Sequence, residues 1–112
     1  MDVDSHLQQQ IRELVNALVT ADYATISTEG WLGRLRQDDV QLRLQEYGAT
    51  LVAPPPTFID SIECYAYQDG SGLHLDVPLW TAEEGQSDLT LSLQVLFESD
   101  RPQLHMLDLH VL

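Results

Sequence analysis

Residues 73–98 carry the pattern that most restricts how this chain can fold. Leu73, Leu75, Val77 and Leu79 recur at every second position, and Leu89, Leu91, Leu93, Val95 and Phe97 then do the same. A period of two is that of a β-strand with one buried face. Between the runs lies Trp80 Thr81 Ala82 Glu83 Glu84 Gly85 Gln86 Ser87 Asp88, polar and without an apolar period of its own. The pair therefore reads as an antiparallel hairpin with a long loop. Residues 61–67 and 104–111 supply two more strand candidates, so four strands follow one another at 61–67, 73–80, 89–98 and 104–111.

The first half of the chain has a different period. Leu7, Ile11, Leu14, Val15 and Leu18 share one helical face from Ser5 onward, and Ser5 can cap that helix. Thr20 or Asp22 restarts a short helical turn carrying Tyr23, Ala24 and Ile26, and Gly30 and Gly33 interrupt it. Trp31, Leu32 and Leu35 are read as covering an open end of the core, although a lid over a ligand would carry the same residues. Asp38 and Gln41 form a capping-box pattern for a helix holding Val40, Leu44 and Tyr47, which Gly48 ends. Thr50, Leu51 and Val52 can add a brief strand. Pro54 Pro55 Pro56 then forces an extended connection that cannot lie inside a sheet, a boundary and not a polyproline ligand.

Helices first and strands after describe an α+β domain, with N-terminal helices packed on one face of a four-stranded antiparallel meander. At 112 residues it is one domain, 1–112, with a helical part at 5–48 and a sheet part at 60–112. No apolar run approaches the ~20 residues that span a bilayer. The acidic start Met1 Asp2 Val3 Asp4 is the opposite of a secretory leader, and with the single cysteine, Cys64, it places the expectation in the cytoplasm. Eighteen Asp and Glu face five Arg and no Lys, for a net charge of −13. Such a field repels nucleic acid and anionic membranes and attracts a basic protein.

Strand parity permits a register argument for the exposed sheet face. A two-residue turn at Asp69 Gly70 sets Ala66, Cys64 and Ile62 opposite Leu73, Leu75 and Val77. Leu79 opposite Leu89 brings Leu75 to Leu93, and a short loop at Asp100 Arg101 Pro102 sets Val95, Leu93 and Leu91 opposite Leu107, Leu109 and Val111. The outer face then carries one row of Glu63, Asp76, Ser92 and His110 and a second of Tyr65, His74, Gln94 and Asp108. A third row holds Tyr67, Gly72, Leu96 and Met106, and Pro78 and Thr90 approach Leu112 at the other end.

Asp76, Ser92 and His110 have the residue types of a nucleophile triad, but an open sheet face encloses no site and the sequence has no nucleophile elbow. Glu63, His74, Asp76, Asp108 and His110 are of the types that bind a divalent metal, without a recognised ligand spacing. No metal or cofactor is therefore assigned. The acidic loop of Glu83 and Glu84 beside Trp80, and a face mixing tyrosines with polar groups, have the make-up of a protein-binding or self-association surface.

The run 77–91, with Tyr47 Gly48, Pro54 Pro55 Pro56 and the closing Asp108 Leu109 His110 Val111 Leu112, resembles a family of small bacterial domains of unknown function. The element order more loosely resembles the NTF2-like and cystatin-like folds. That resemblance implies a ligand cleft between helices and sheet, lined here by Tyr23, Trp31, Leu35, Tyr47, Cys64 and His105, without the paired Asp and His of NTF2-like enzymes.

The leading expectation is a non-catalytic cytoplasmic binding protein or homodimer, one concrete form being an immunity-type inhibitor of a basic toxin. Its binding surface would comprise Tyr65, His74, Asp76, Trp80, Glu83, Glu84, Ser92, Gln94, Asp108 and His110. The alternative is an NTF2-like small-molecule binder or enzyme using the cleft, with His105 as its ionisable group.

Overall fold

A computed structural model describes residues 5–97 and 102–111. The expectations for Met1 to Asp4, for Glu98, for the loop at Asp100 and Arg101, and for Leu112 lie outside them. The helices are α1 (Ser5–Val19), α2 (Tyr23–Thr28) and α3 (Gln37–Tyr47). The strands are β1 (Leu51–Val52), β2 (Glu63–Ala66), β3 (Gly72–Thr81), β4 (Gly85–Leu96) and β5 (Gln103–Val111), with a 3-10 helix (Pro56–Ser61) before β2. All strand pairs are antiparallel in the order β1-β3-β4-β5, and β2 pairs with the edge of β3 that β1 also uses. The class is α+β, with the helices packed against an antiparallel sheet of five strands.

The helical stripe behaves as its spacing requires. Leu7, Ile11, Leu14, Val15 and Leu18 are buried, joined by Ala17. Asp22 caps α2, accepting from the Thr25 amide at 3.2 Å and from its hydroxyl at 2.7 Å, and Ile26 is buried behind it. α3 starts one residue before Asp38. Its entry is held by the Arg36 amide donating to the Asp39 carboxylate at 3.4 Å, so the expected pairing of Asp38 with Gln41 is not the cap in use. These helices cover the inner sheet face, where Leu73, Leu75, Val77, Leu79, Leu89, Leu91, Leu93 and Val95 are at most 4% exposed.

The hairpin of β3 and β4 departs from expectation at its loop. Strand pairing continues to Thr81 opposite Gly85, leaving a turn of Ala82, Glu83 and Glu84 in place of the long loop. Gly85, at φ 73°, takes the left-handed position that such a three-residue hairpin requires. The remaining residues are absorbed in a bulge, since pairing passes from Pro78–Thr90 to Trp80–Gln86 and leaves Ser87, Asp88 and Leu89 against Leu79 alone. Ser87 fills the broken ladder. Its hydroxyl donates to the Leu79 carbonyl at 2.8 Å and accepts from the Leu89 amide at 3.2 Å. Leu79 and Leu89 thus both reach the core.

β2 pairs with β3 in the expected register, Cys64 with Leu75 and Ala66 with Leu73. The turn differs in closure, with the Gly70 amide donating to the Tyr67 carbonyl at 3.1 Å. β5 does not keep its expected register. Leu91 faces Leu109 and Ser92 faces Asp108, but Leu93 then faces Met106, leaving Leu107 as a bulge. Met106 and Leu109 lie on opposite parities of the sequence, and the extra residue lets both point inward, at 0% and 1% exposure. Met106 is therefore core and not an outer-face residue, and Val111 is 58% exposed.

The two edges of the sheet end differently. At β5 the Met106 amide donates to the Trp31 carbonyl at 2.7 Å, and Arg43 from α3 donates to the Leu109 carbonyl at 2.9 Å. Gly33 makes this closure possible: at φ +58°, a β-carbon there would lie 2.8 Å from the Met106 carbonyl oxygen. At β2 no described strand lies beyond the outer edge.

Candidate functional site

The corrected register rebuilds the outer face. One row reads Glu63, Asp76, Ser92, Asp108 and the next Tyr65, His74, Gln94, His105. His110 moves to the row of Pro78 and Thr90, and Asp108 takes the place expected for His110. His105, expected in the cleft between helices and sheet, lies opposite Gln94 on the outer face. Asp108 and His110 move because β5 slides by two residues against β4, which keeps their face, while the bulge at Leu107 turns His105 outward.

Despite the changed rows, the polar side chains at the centre form one connected network. Asp76 Oδ1 accepts from the Ser92 hydroxyl at 2.7 Å and lies 2.9 Å from His74 Nε2. Ser92 Oγ is 3.5 Å from His110 Nε2, and His110 Nδ1 is 3.7 Å from Asp108 Oδ2. Arg43 closes the series, 3.4 Å from Asp108 Oδ1. To one side, Gln94 Nε2 donates to the Tyr67 hydroxyl at 3.1 Å. Tyr65 donates its hydroxyl to the Glu63 carboxylate, which holds the phenol above the usual tyrosine range, and its ring lies 6.2 Å from that of His74.

Serine, imidazole and carboxylate follow one another here, yet the arrangement is not that of an activated nucleophile. The Ser92 proton is directed to Asp76 and not to His110, and Ser92 itself is 3% exposed in the middle of the sheet. Amides of such an interior strand are used by the ladder, so none is free to hold an oxyanion. Among the described residues no group of three or more His, Cys, Asp or Glu is placed to hold a metal ion. What the network does is fix the orientation of six polar side chains on an open face.

The remaining candidates fall in several places. Trp31 is 4% exposed and buried in the core, while Tyr23, Leu35 and Tyr47 pack partly buried against its margin. Leu35 lines a recess of about 210 Å³ with Val40, Arg43 and Leu109, and Tyr47 a separate, wider one of about 430 Å³ beside His110 and Val111. His105 lines a depression of about 280 Å³ with Arg34, Gln94 and Leu96. Cys64 is half-buried, and burial pushes its thiol up.

The acidic turn is tied into the fold. Glu83 accepts from the Thr50 amide at 2.8 Å, which lowers its carboxyl below the usual range, and Glu84 accepts from the Tyr47 hydroxyl at 2.7 Å. Trp80 is half-buried, edge-on to Phe58 at 6.4 Å, and Phe58 in turn carries the Arg12 guanidinium 5.5 Å above its ring. Sequence reasoning missed Arg43, which is 65 positions from the Asp108 it meets. No local spacing signals a contact of that range.

A family model described as a domain of unknown function (DUF7668) matches residues 15–112. The chain belongs to this family. The DUF7668 match begins within α1 and takes in every residue of the outer-face network. The resemblance seen in the sequence to a family of domains of unknown function therefore holds. No curated protein and no solved structure matches the chain. No helix of the described residues is long and apolar enough to cross a membrane.

Proposed function

We propose that this chain is a non-catalytic protein-binding domain of the cytoplasm that presents the outer face of its sheet to a positively charged protein partner. The observation that carries the reading is the asymmetry of the sheet. One face is filled by helices, while the other stays open, with Tyr65 53% exposed and tethered to Glu63 beside the network from His74 to Arg43. Side chains already held in one arrangement lose little entropy on binding, and a partly exposed tyrosine is a favoured anchor. The net charge of −13 favours a basic partner over a second copy of the same chain.

The test is affinity capture from native extract on the immobilised chain at about 0.15 M salt, where surface charges beyond ~8 Å are screened. A specific partner should be retained by the wild type and by Glu13→Gln on the far side of α1, and lost with Tyr65→Ala and Asp108→Asn. Equal retention by all four proteins would overturn the reading.

A second reading, small-ligand binding, is favoured by the depression of about 280 Å³ where Arg34, His105 and Gln94 meet Leu96 and Leu107. Thermal shift with a panel of small carboxylates should then depend on Arg34.

A further inference from the structure

The hydrogen-bond phase of β2 determines which of its backbone groups are committed. The Tyr67 amide donates to the Gly72 carbonyl, and the Phe97 amide to the Ser71 carbonyl. On β3, even-numbered residues therefore bond toward β2 and odd-numbered residues toward β4. Antiparallel ladders alternate bonded and non-bonded pairs, so Glu63 opposite Asp76 and Tyr65 opposite His74 turn their N–H and C=O groups inward to β3. Cys64 and Ala66 turn theirs away from β3, and no described strand lies beyond them. Ala66 is exposed and Cys64 half-buried. This is an unpaired edge of the kind that proteins either blunt or use for strand addition.

The charge around this edge points to the occupant. Between Arg43 and Arg101 the chain has no arginine or lysine, so β1 to β4 carry no permanent positive charge. Asp60, Glu63 and Asp69 are all exposed around β2. The Arg12 guanidinium, which stacks over Phe58 in the preceding 3-10 helix, is already donating to the Pro56 carbonyl at 3.0 Å. A second copy would set acidic edge against acidic edge. An extended segment with basic side chains would meet main-chain donors and acceptors flanked by carboxylates.

We propose that the outer edge of β2 takes up an extended, basic segment of a protein partner as an additional strand, through the outward N–H and C=O groups of Cys64 and Ala66. The inference rests on the protein-binding reading and specifies how the partner is engaged. Tyr65, on the outer face of the same strand, would contact the added segment's side chains, joining edge and face in one surface.

The probe is a blocked hexapeptide of alternating arginine and valine, added to the full chain. Hydrogen exchange followed by NMR should show the Cys64 and Ala66 amides slowing at least tenfold, while those of Glu63 and Tyr65, already bonded to β3, do not change. Ala66→Pro removes one outward donor without touching the β3 ladder, and should weaken the peptide at least tenfold with near-ultraviolet circular dichroism unchanged. Binding that Ala66→Pro leaves intact, or that protects no alternate amides of β2, would overturn strand addition. If such binding is still lost with Tyr65→Ala, the open-face reading survives alone. Absence of any peptide binding counts against both. Slowed exchange at Cys64 and Ala66 without peptide, rising with protein concentration, would assign the edge to a second copy and overturn the proposal.

Discussion

The two edges of this sheet solve the same chemical problem in opposite ways. At β5 the outward amide of Met106 is satisfied by Trp31, and the Leu109 carbonyl by Arg43, so a turn anchored by the buried Trp31 and a helix stand where another strand could pair. At β2 the edge is kept short, four residues, and acidic, but its outward groups face no described strand. Shortness and charge discourage indiscriminate pairing without closing the edge to a complementary segment. A closed edge belongs to the stability of the domain, and the open one is the edge to which we assign its proposed associations.

Proline substitution should separate the two edges most sharply. Met106→Pro removes the bond to Trp31 together with a fully buried side chain, and is expected to cost at least about 3 kcal/mol in urea unfolding. Gly33→Ala should follow at about 1–2 kcal/mol, because the left-handed backbone is strained and the new methyl meets the Met106 carbonyl. A cost near zero would mean that the turn is not pressed against β5. Arg43→Ala removes a donor to the Leu109 carbonyl and an exposed ion pair, for about 1 kcal/mol.

Glu83→Gln tests the β1 side of the open edge by its pH dependence. The Thr50 amide lowers the folded-state pKa of Glu83 below its unfolded value. Its contribution is therefore present above the ordinary glutamate pKa and lost as pH falls through the lowered folded value. The wild type's advantage over Glu83→Gln should be constant near neutrality and vanish in acid; an advantage that persists there would rule out the ionised bond as its source. Smallest of all, Ala66→Pro should change stability by only about 0.5 kcal/mol, since the donor it removes points away from β3. A loss as large as that of Met106→Pro would erase the distinction between the edges.

Much of the fold could be read from periodicity. The stripe from Leu7 to Leu18 and the alternation from Leu73 to Val95 record the two faces that meet in the core, and each pattern is local enough to see. The pairing of β2 with β3, and of β3 with β4 from Thr90 to Leu96, also followed, because the Asp69 Gly70 turn and the match of Leu79 to Leu89 set the offset that parity leaves free. β5 was misread for a definable reason. Leu104, Met106, Leu107 and Leu109 place apolar residues on both parities, and nothing local says which one is the bulge. The bulge turned His105 to the outer face, while Asp108 and His110 moved by a two-residue slide of β5 that parity does not detect. Trp80, Glu83 and Glu84 read as a free acidic loop because their partners Phe58, Thr50 and Tyr47 are remote in sequence.

By itself, then, the sequence determined the α+β order, the buried leucine rows and a negative field with no arginine or lysine from 44 to 100, all properties of local pattern or of composition. Only the tertiary structure decided which polar side chains meet, that Ser92 gives its proton to Asp76, and that one sheet edge is closed while the other stays open. The physical reason is range. Burial period and charge are summed over neighbours in the chain, whereas a bulge, a cross-strand hydrogen bond and a covered edge depend on which distant segments pack together.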